Sequence, residues 1–120
     1  MNKKFSKSIF SKPHGFTFLH SSSVSIVAET IAKYINFSET ECKILKVAGL
    51  IHDLGKLGIP TEIIEKPVRL TEDEITIIKK HPYLTYRAFE GIDALDTINL
   101  WASLHHEKLD GTGYPFHLKE

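Results

Sequence analysis

Five of the seven histidines in this 120-residue chain share one kind of position. His20, His52, His81, His105 and His106 all fall where a helix is expected to begin or end. His52-Asp53 closes the most hydrophobic helical stretch of the sequence. A carboxylate at the exit of a buried helix is costly unless something compensates its charge. A divalent cation does so, because it favours carboxylate and neutral imidazole together. A hydrogen-bonded His-Asp pair at a helix end accounts for the same two residues. His105-His106-Glu107 closes the last expected helix. Adjacent helical side chains diverge by about 100°, so two ions, each taking one ring, suit this pair better than one. An imidazolium complementing the helix C-terminus is the competing reading. Taken singly, His20 and His81 read as surface or capping histidines. Helix ends can converge on one cleft, and five histidines with one aspartate there point to a metal site. Lys56, three residues after Asp53, can offset charge on a phosphate oxygen beside the metal or complement the helix C-terminus. Gly111-Thr112-Gly113 lets backbone approach a ligand closely, or forms a plain turn. The chemistry implied is metal-assisted phosphoester hydrolysis. His14 and His117 match no such position and read as surface residues.

These residues need elements to hold them. Residues 21–37 carry Val24, Val27, Ala28, Ile31, Ala32 and Ile35 on one expected helical face, with His20 at or just inside the start and Asn36-Phe37 at the end. Ser38-Glu39-Thr40-Glu41 is a capping box. It opens a helix through about Asp53 that is apolar nearly all round, which implies a central place. Gly55 and Gly58 close it. Thr61 caps a short turn over 62–65, stopped by Pro67. Thr71-Glu72-Asp73-Glu74 is a second capping box, leading through Ile75, Ile77 and Ile78 to His81-Pro82. Pro82 suits the first turn of a helix over 83–90, which Gly91 breaks. The last helix runs over 94–107 with Leu95, Ile98, Leu100, Trp101 and Leu104 as its apolar set. No period-2 strand or repeat interrupts this pattern. The expected fold is an all-α bundle of four to five main helices.

Composition sets the limits. With 42% hydrophobic and 25% charged residues, the chain reads as globular. Its 15 basic and 15 acidic residues balance, which argues against a polyanion coat and leaves room for a local phosphate pocket. The single cysteine, Cys42, excludes an intrachain disulfide and reads as a buried thiol in a reducing, cytoplasmic setting. No apolar run approaches the ~18–20 residues of a membrane helix. Residues 1–15 are basic and read as a flexible arm, and residues 16–120 as the functional domain.

His52-Asp53-Leu54-Gly55-Lys56 resembles the HD-x-GK signature of the HD superfamily of metal-dependent phosphohydrolases. His20-Ser21, the run 52–60, Lys66-Pro67, Leu70-Thr71 with Glu74, His81-Pro82, His105-His106-Glu107 and residues 110–115 follow in order. That series resembles the HD-GYP branch, over about residues 20–119. The resemblance implies an HD-domain-like bundle and metal ions, often iron or manganese. It implies His20, His52, Asp53, His81, His105 and His106 as ligands, with Asp53 bridging two ions. Asp53 and Lys56 would be catalytic, Lys56 would contact the scissile phosphate, and Gly113 and Tyr114 would border the substrate pocket. Many members hydrolyse cyclic di-GMP with a metal-activated water and no covalent intermediate.

Four departures qualify the resemblance. Phe16 stands where three-metal members carry an acidic ligand, which favours two ions. Ser23 replaces a common Arg, and Thr85 a common Gly. The sequence ends at Glu120, before the family's helix with a further metal-ligating Asp. Two expectations stand side by side: the sequence is a piece of a longer protein, or one ion is under-coordinated and completed by water or a neighbouring chain, with an exposed core face suited to a homo-oligomer or to a sensor or regulatory domain. Three functions follow: a cyclic di-GMP phosphodiesterase, a phosphohydrolase of another nucleotide or phosphoester, and a weakened regulatory or interaction domain.

Overall fold

The computed structural model describes residues 12–119, with side chains from Phe18 onward. Among the described residues the chain is all-α, and its one β-type contact is an isolated antiparallel bridge between Asp110 and Lys119. Helix α1 spans Lys12–Tyr34 and α2 spans Glu39–Ile51. A 3₁₀ turn follows at Leu54–Gly58, then the short α3, Thr61–Ile64. Helices α4 (Glu72–Ile78) and α5 (His81–Phe89) meet end to end. A second 3₁₀ turn, Asp93–Leu95, leads into α6, Asp96–Ser103.

The local signals explain most boundaries. Ser38 and Thr71 each form a full capping box, with Glu41 and Glu74 returning to the cap amide, so the first orphan donors of α2 and α4 are satisfied. Asn36 ends α1 in the left-handed region at φ 64°. The Phe37 amide donates to the Ala32 carbonyl and the Asn36 amide to the Lys33 carbonyl, which is a Schellman closure. Pro82 occupies the first turn of α5, where its missing N–H costs no helical bond.

Three expectations change. Helix α1 already begins at Lys12, so His20 lies well inside it rather than at its start, and residues 12–15 of the expected arm are helical. Pro13 in the first turn does not oppose this. The buried face of α1 is also not the apolar stripe. Ser21, Ser25 and Ala32 are buried, whereas Val27 and Ile31 are each 55% exposed. The reason is close packing. Helix α1 crosses α2 at Gly49, where an added Cβ would stand 3.0 Å from the Ser25 Cα, so small residues must face one another. Helix α2 accordingly packs on α1 and α6 but leaves Val47 and Leu50 exposed. Finally, α6 stops at Ser103, releasing His105 and His106 into a turn.

The interior is unusual in content. The largest fully buried side chains are His81, Thr85, Pro82 and Ser103. Gly55 is no simple helix terminator. A Cβ there would strike the His81 carbonyl and the Thr85 amide, so the 3₁₀ turn presses directly on the first turn of α5. Thr85 joins them: its hydroxyl accepts from the Gly55 amide (2.8 Å), and its own proton lies between the His81 and His52 carbonyls, at 3.1 and 3.3 Å. Gly55→Ala should therefore lower stability by about 2–3 kcal/mol through overpacking. Thr85→Val, which strands the buried Gly55 donor, should cost about 1–3 kcal/mol. Urea denaturation of both variants checks this; wild-type midpoints would contradict the junction described.

Candidate metal centre

Asp53 is the centre of the site. It is 3% exposed and lies in the turn between α2 and the 3₁₀ segment. Its two carboxylate oxygens face different partners. Oδ2 lies 3.7 Å from His20 Nε2, 3.3 Å from His52 Nε2 and 3.1 Å from Lys56 Nζ. Oδ1 lies 3.1 Å from His81 Nε2 and 3.5 Å from His105 Nε2. His106 completes the group, its ring centroid 4.1 Å from that of His105 and 5.1 Å from that of His81. The expected residues thus come together, in two sets that can each hold an ion: His20, His52 and Asp53, and His81, His105 and His106. His105 and His106 fall in one set, because they sit in a turn and escape the helical 100° divergence.

The helix ends set the tautomers. His52 Nδ1 lies 2.6 Å from the Gly49 carbonyl, His81 Nδ1 2.7 Å from that of Ile78, and His105 Nδ1 2.7 Å from that of Ala102. Each carbonyl is three residues back, in the last turn of α2, α4 or α6, where carbonyls lack helical donors. Nδ1–H donating there turns Nε2 toward Asp53, where it can donate to the carboxylate in the metal-free chain or, deprotonated, offer its lone pair to an ion. His81 Nε2 and His105 Nε2 then face each other at 3.2 Å, beside Asp53 Oδ1. Deprotonated, the two ring nitrogens converge with Asp53 Oδ1 as acceptors that fit a cation, and the N/O donor set suits a divalent first-row metal.

In the metal-free chain the electrostatics follow from those rings donating to Asp53. Burial would raise the Asp53 carboxyl, but hydrogen bonding by His105, His52 and His81 holds it far below the carboxylate range. Burial lowers His52, yet the Asp53 carboxylate outweighs it and the net direction is up. His106 is pushed down to about 4, first by burial, then by His105 and His81.

The remaining expected residues border the centre. Lys56 donates to Asp53 Oδ2, so its ammonium is held at the site. Tyr114 stacks on His106, centroids 4.7 Å apart, and burial raises its phenol, as does Asp53. Gly113 serves close packing: a Cβ there would strike Lys108 N, Glu107 Cα and the His106 carbonyl. His117 is exposed. The side chains of His14 and Phe16 lie outside the described residues. Sequence reasoning treated Thr85 only as a departure and Glu107 only as part of a motif. Hydrogen bonding gives both a role, Thr85 being buried as well, and their partners lie far along the chain.

A helical bundle that gathers five imidazoles, four of them at or just past helix ends, around one buried carboxylate has the form of a metal-binding scaffold. The chain is a member of the HD domain family, which it matches over residues 4–120. It is 39% identical over 94 residues to the cyclic di-GMP phosphodiesterase response regulator RpfG of Xanthomonas campestris, covering 77% of this chain and 25% of that protein. It is 38% identical over 100 residues to 3'3'-cGAMP-specific phosphodiesterase 1 of Vibrio cholerae, covering 83% and 23%. A cyclic di-GMP phosphodiesterase of Thermotoga maritima is 36% identical over 107 residues, covering 87% and 29%. The chain therefore spans about a quarter of the length of these relatives.

Protons and metal compete for His52 Nε2. Because its folded value is raised, its proton stabilises the metal-free protein below the ordinary imidazole pKa, and that contribution is lost as pH rises through the folded value. Stabilisation by manganese should therefore be larger at about pH 8 than at about pH 6. Melting curves with and without manganese at both pH values test this; equal shifts would contradict proton release from the site.

Proposed function

We propose that this domain is the catalytic centre of a metal-dependent phosphodiesterase that hydrolyses a cyclic dinucleotide, cyclic di-GMP. The observation that carries the reading is the division of Asp53, one oxygen toward His20 and His52 and the other toward His81 and His105. Two divalent ions, iron or manganese, would be held by His20, His52 and Asp53 and by His81, His105 and His106. The names of the similar proteins supply the substrate class. A buried lone thiol, Cys42, suits the reducing cytoplasm that ferrous iron needs.

Divalent ions held here supply Lewis acidity and lower the pKa of water toward neutrality. The protein does the rest. His52, His81 and His105 present fixed lone pairs, so little reorganisation is needed at the moment of reaction. Asp53 keeps the two ligand sets in register. Lys56 is 30% exposed and tethered to Asp53 by one hydrogen bond. It can turn its ammonium to a phosphoryl oxygen and offset the charge that grows there. Gly113 and Tyr114 form the wall beside His106. No side chain is placed as a covalent nucleophile in this scheme.

Purified protein loaded with manganese or ferrous iron should linearise cyclic di-GMP in preference to 3'3'-cGAMP and to mononucleotide esters. Asp53→Asn should lose both metal and turnover. Lys56→Ala should keep its metal and lose about 10²–10³-fold in kcat. Full metal loading without turnover, or equal hydrolysis by wild type and Asp53→Ala, would overturn the proposal. Preference for mononucleotides would reassign the substrate.

A further inference from the structure

Glu107 immediately follows the two histidines of the second ligand set, yet it belongs to neither set. Both of its carboxylate oxygens are occupied elsewhere. Oε1 accepts from the Phe116 amide at 2.6 Å and Oε2 from the Leu118 amide at 3.2 Å. A carboxylate that accepts two backbone amides makes charge-assisted bonds, stronger than neutral ones. The segment it grips returns from Tyr114-Pro115. The Tyr114 amide donates to the His106 carbonyl at 3.1 Å, and Gly113 packs too closely on residues 106–108 to admit a Cβ. The loop is thereby pinned at three points around one residue.

The ring stacked in that clamp is Tyr114, parallel to His106 within 17°. Lys79, at the C-terminal end of α4, places its ammonium 5.3 Å from the same ring centroid, a favourable cation–π distance. His52, His81 and His105 are each oriented by a carbonyl three residues back. For His106 the structure gives the stacked Tyr114 ring in that place. We propose that Glu107 is a positioning residue: it clamps the 110–119 loop so that Tyr114 fixes the plane of His106. The inference rests on the metal-centre reading above, and its partner is the His81, His105 and His106 set.

The test uses the full chain without metal and reads the histidine ring protons by NMR, then manganese binding by calorimetry. In wild type, His106 should show the upfield ring-current displacement of a stacked imidazole. Tyr114→Phe should keep it and Tyr114→Ala should abolish it. Glu107→Ala should lose it to the same extent as Tyr114→Ala. Glu107→Gln, which keeps one acceptor oxygen, should fall between. His52 and His81 should hold their positions in every variant. Manganese affinity should fall by about 10–100-fold in Glu107→Ala, as for loss of an orienting outer-shell partner, and remain near wild type in Tyr114→Phe. Unchanged His106 signals in Glu107→Ala would overturn the proposal. Equal displacement of His52 and His81 would also overturn it, since it would show general loosening. A wild-type chain that binds metal but hydrolyses nothing would reject the phosphodiesterase reading and leave this ring-orientation result standing.

Discussion

The structure depends on one buried carboxylate. Removing Asp53 from water costs several kcal/mol unless opposing charge and donors surround it. Imidazoles of four separate segments, with Lys56, meet that need. Each of those imidazoles reaches Asp53 with Nε2, and three are held by Nδ1 contacts to carbonyls in the last turns of α2, α4 and α6. Helix termini are therefore the natural address for these residues. A terminus offers a free carbonyl to fix the ring and a change of chain direction that turns the ring inward.

Bringing four segments to one carboxylate constrains the backbone. The close approaches fall at Gly49 against Ser25, Gly55 against His81 and Gly113 against residues 106–108. In each place a side chain would push a ligand-bearing segment away. The interior is consequently built from small and polar groups, with Thr85, Ser103 and Asn99 each hydrogen-bonded within it. A conventional aliphatic core would be too thick to let the helices meet. The larger apolar side chains of α1 are left outside, which is the opposite of what a well-formed apolar stripe normally signifies.

That inversion marks what a single sequence reveals. Capping boxes at Ser38 and Thr71 and the Asn36 closure depend on local chemistry, and they were legible. So was the gathering of His52, Asp53, His81, His105 and His106, because residue type and helix-end position carry that signal together; His20 joins them from inside α1, by residue type alone. The buried face of α1 was not legible, since periodicity reports that a stripe exists and not what lies opposite. The Ser25–Gly49 crossing decides the matter, and those residues are distant in sequence. The end of α6 at Ser103 was hidden for a similar reason. Nothing breaks the helical pattern there; the turn at 104–106 is held by the Nδ1 contact of His105 and by the returning loop. Glu107 and Thr85 act through backbone amides brought from 9 and 30 residues away, a relation no local pattern encodes.

Access varies within each ligand set. On the Oδ2 side of Asp53, the His20 side chain is 50% exposed and that of Lys56 30%, while that of His52 is 10% exposed. On the Oδ1 side, the His81 side chain is only 2% exposed and that of His105 20%. The difference follows from construction. His81 opens α5 and is pressed under the Gly55 turn, whereas His20 projects from the flank of α1, which touches the centre from one side. An anion arriving from solvent meets His20 and Lys56 first, and His81 last. The centre is therefore anchored at His81 and His52 and approached at His20 and Lys56. Lys56, tethered by one bond to the carboxylate that organises everything else, is the charged group best placed to change partners when that anion arrives.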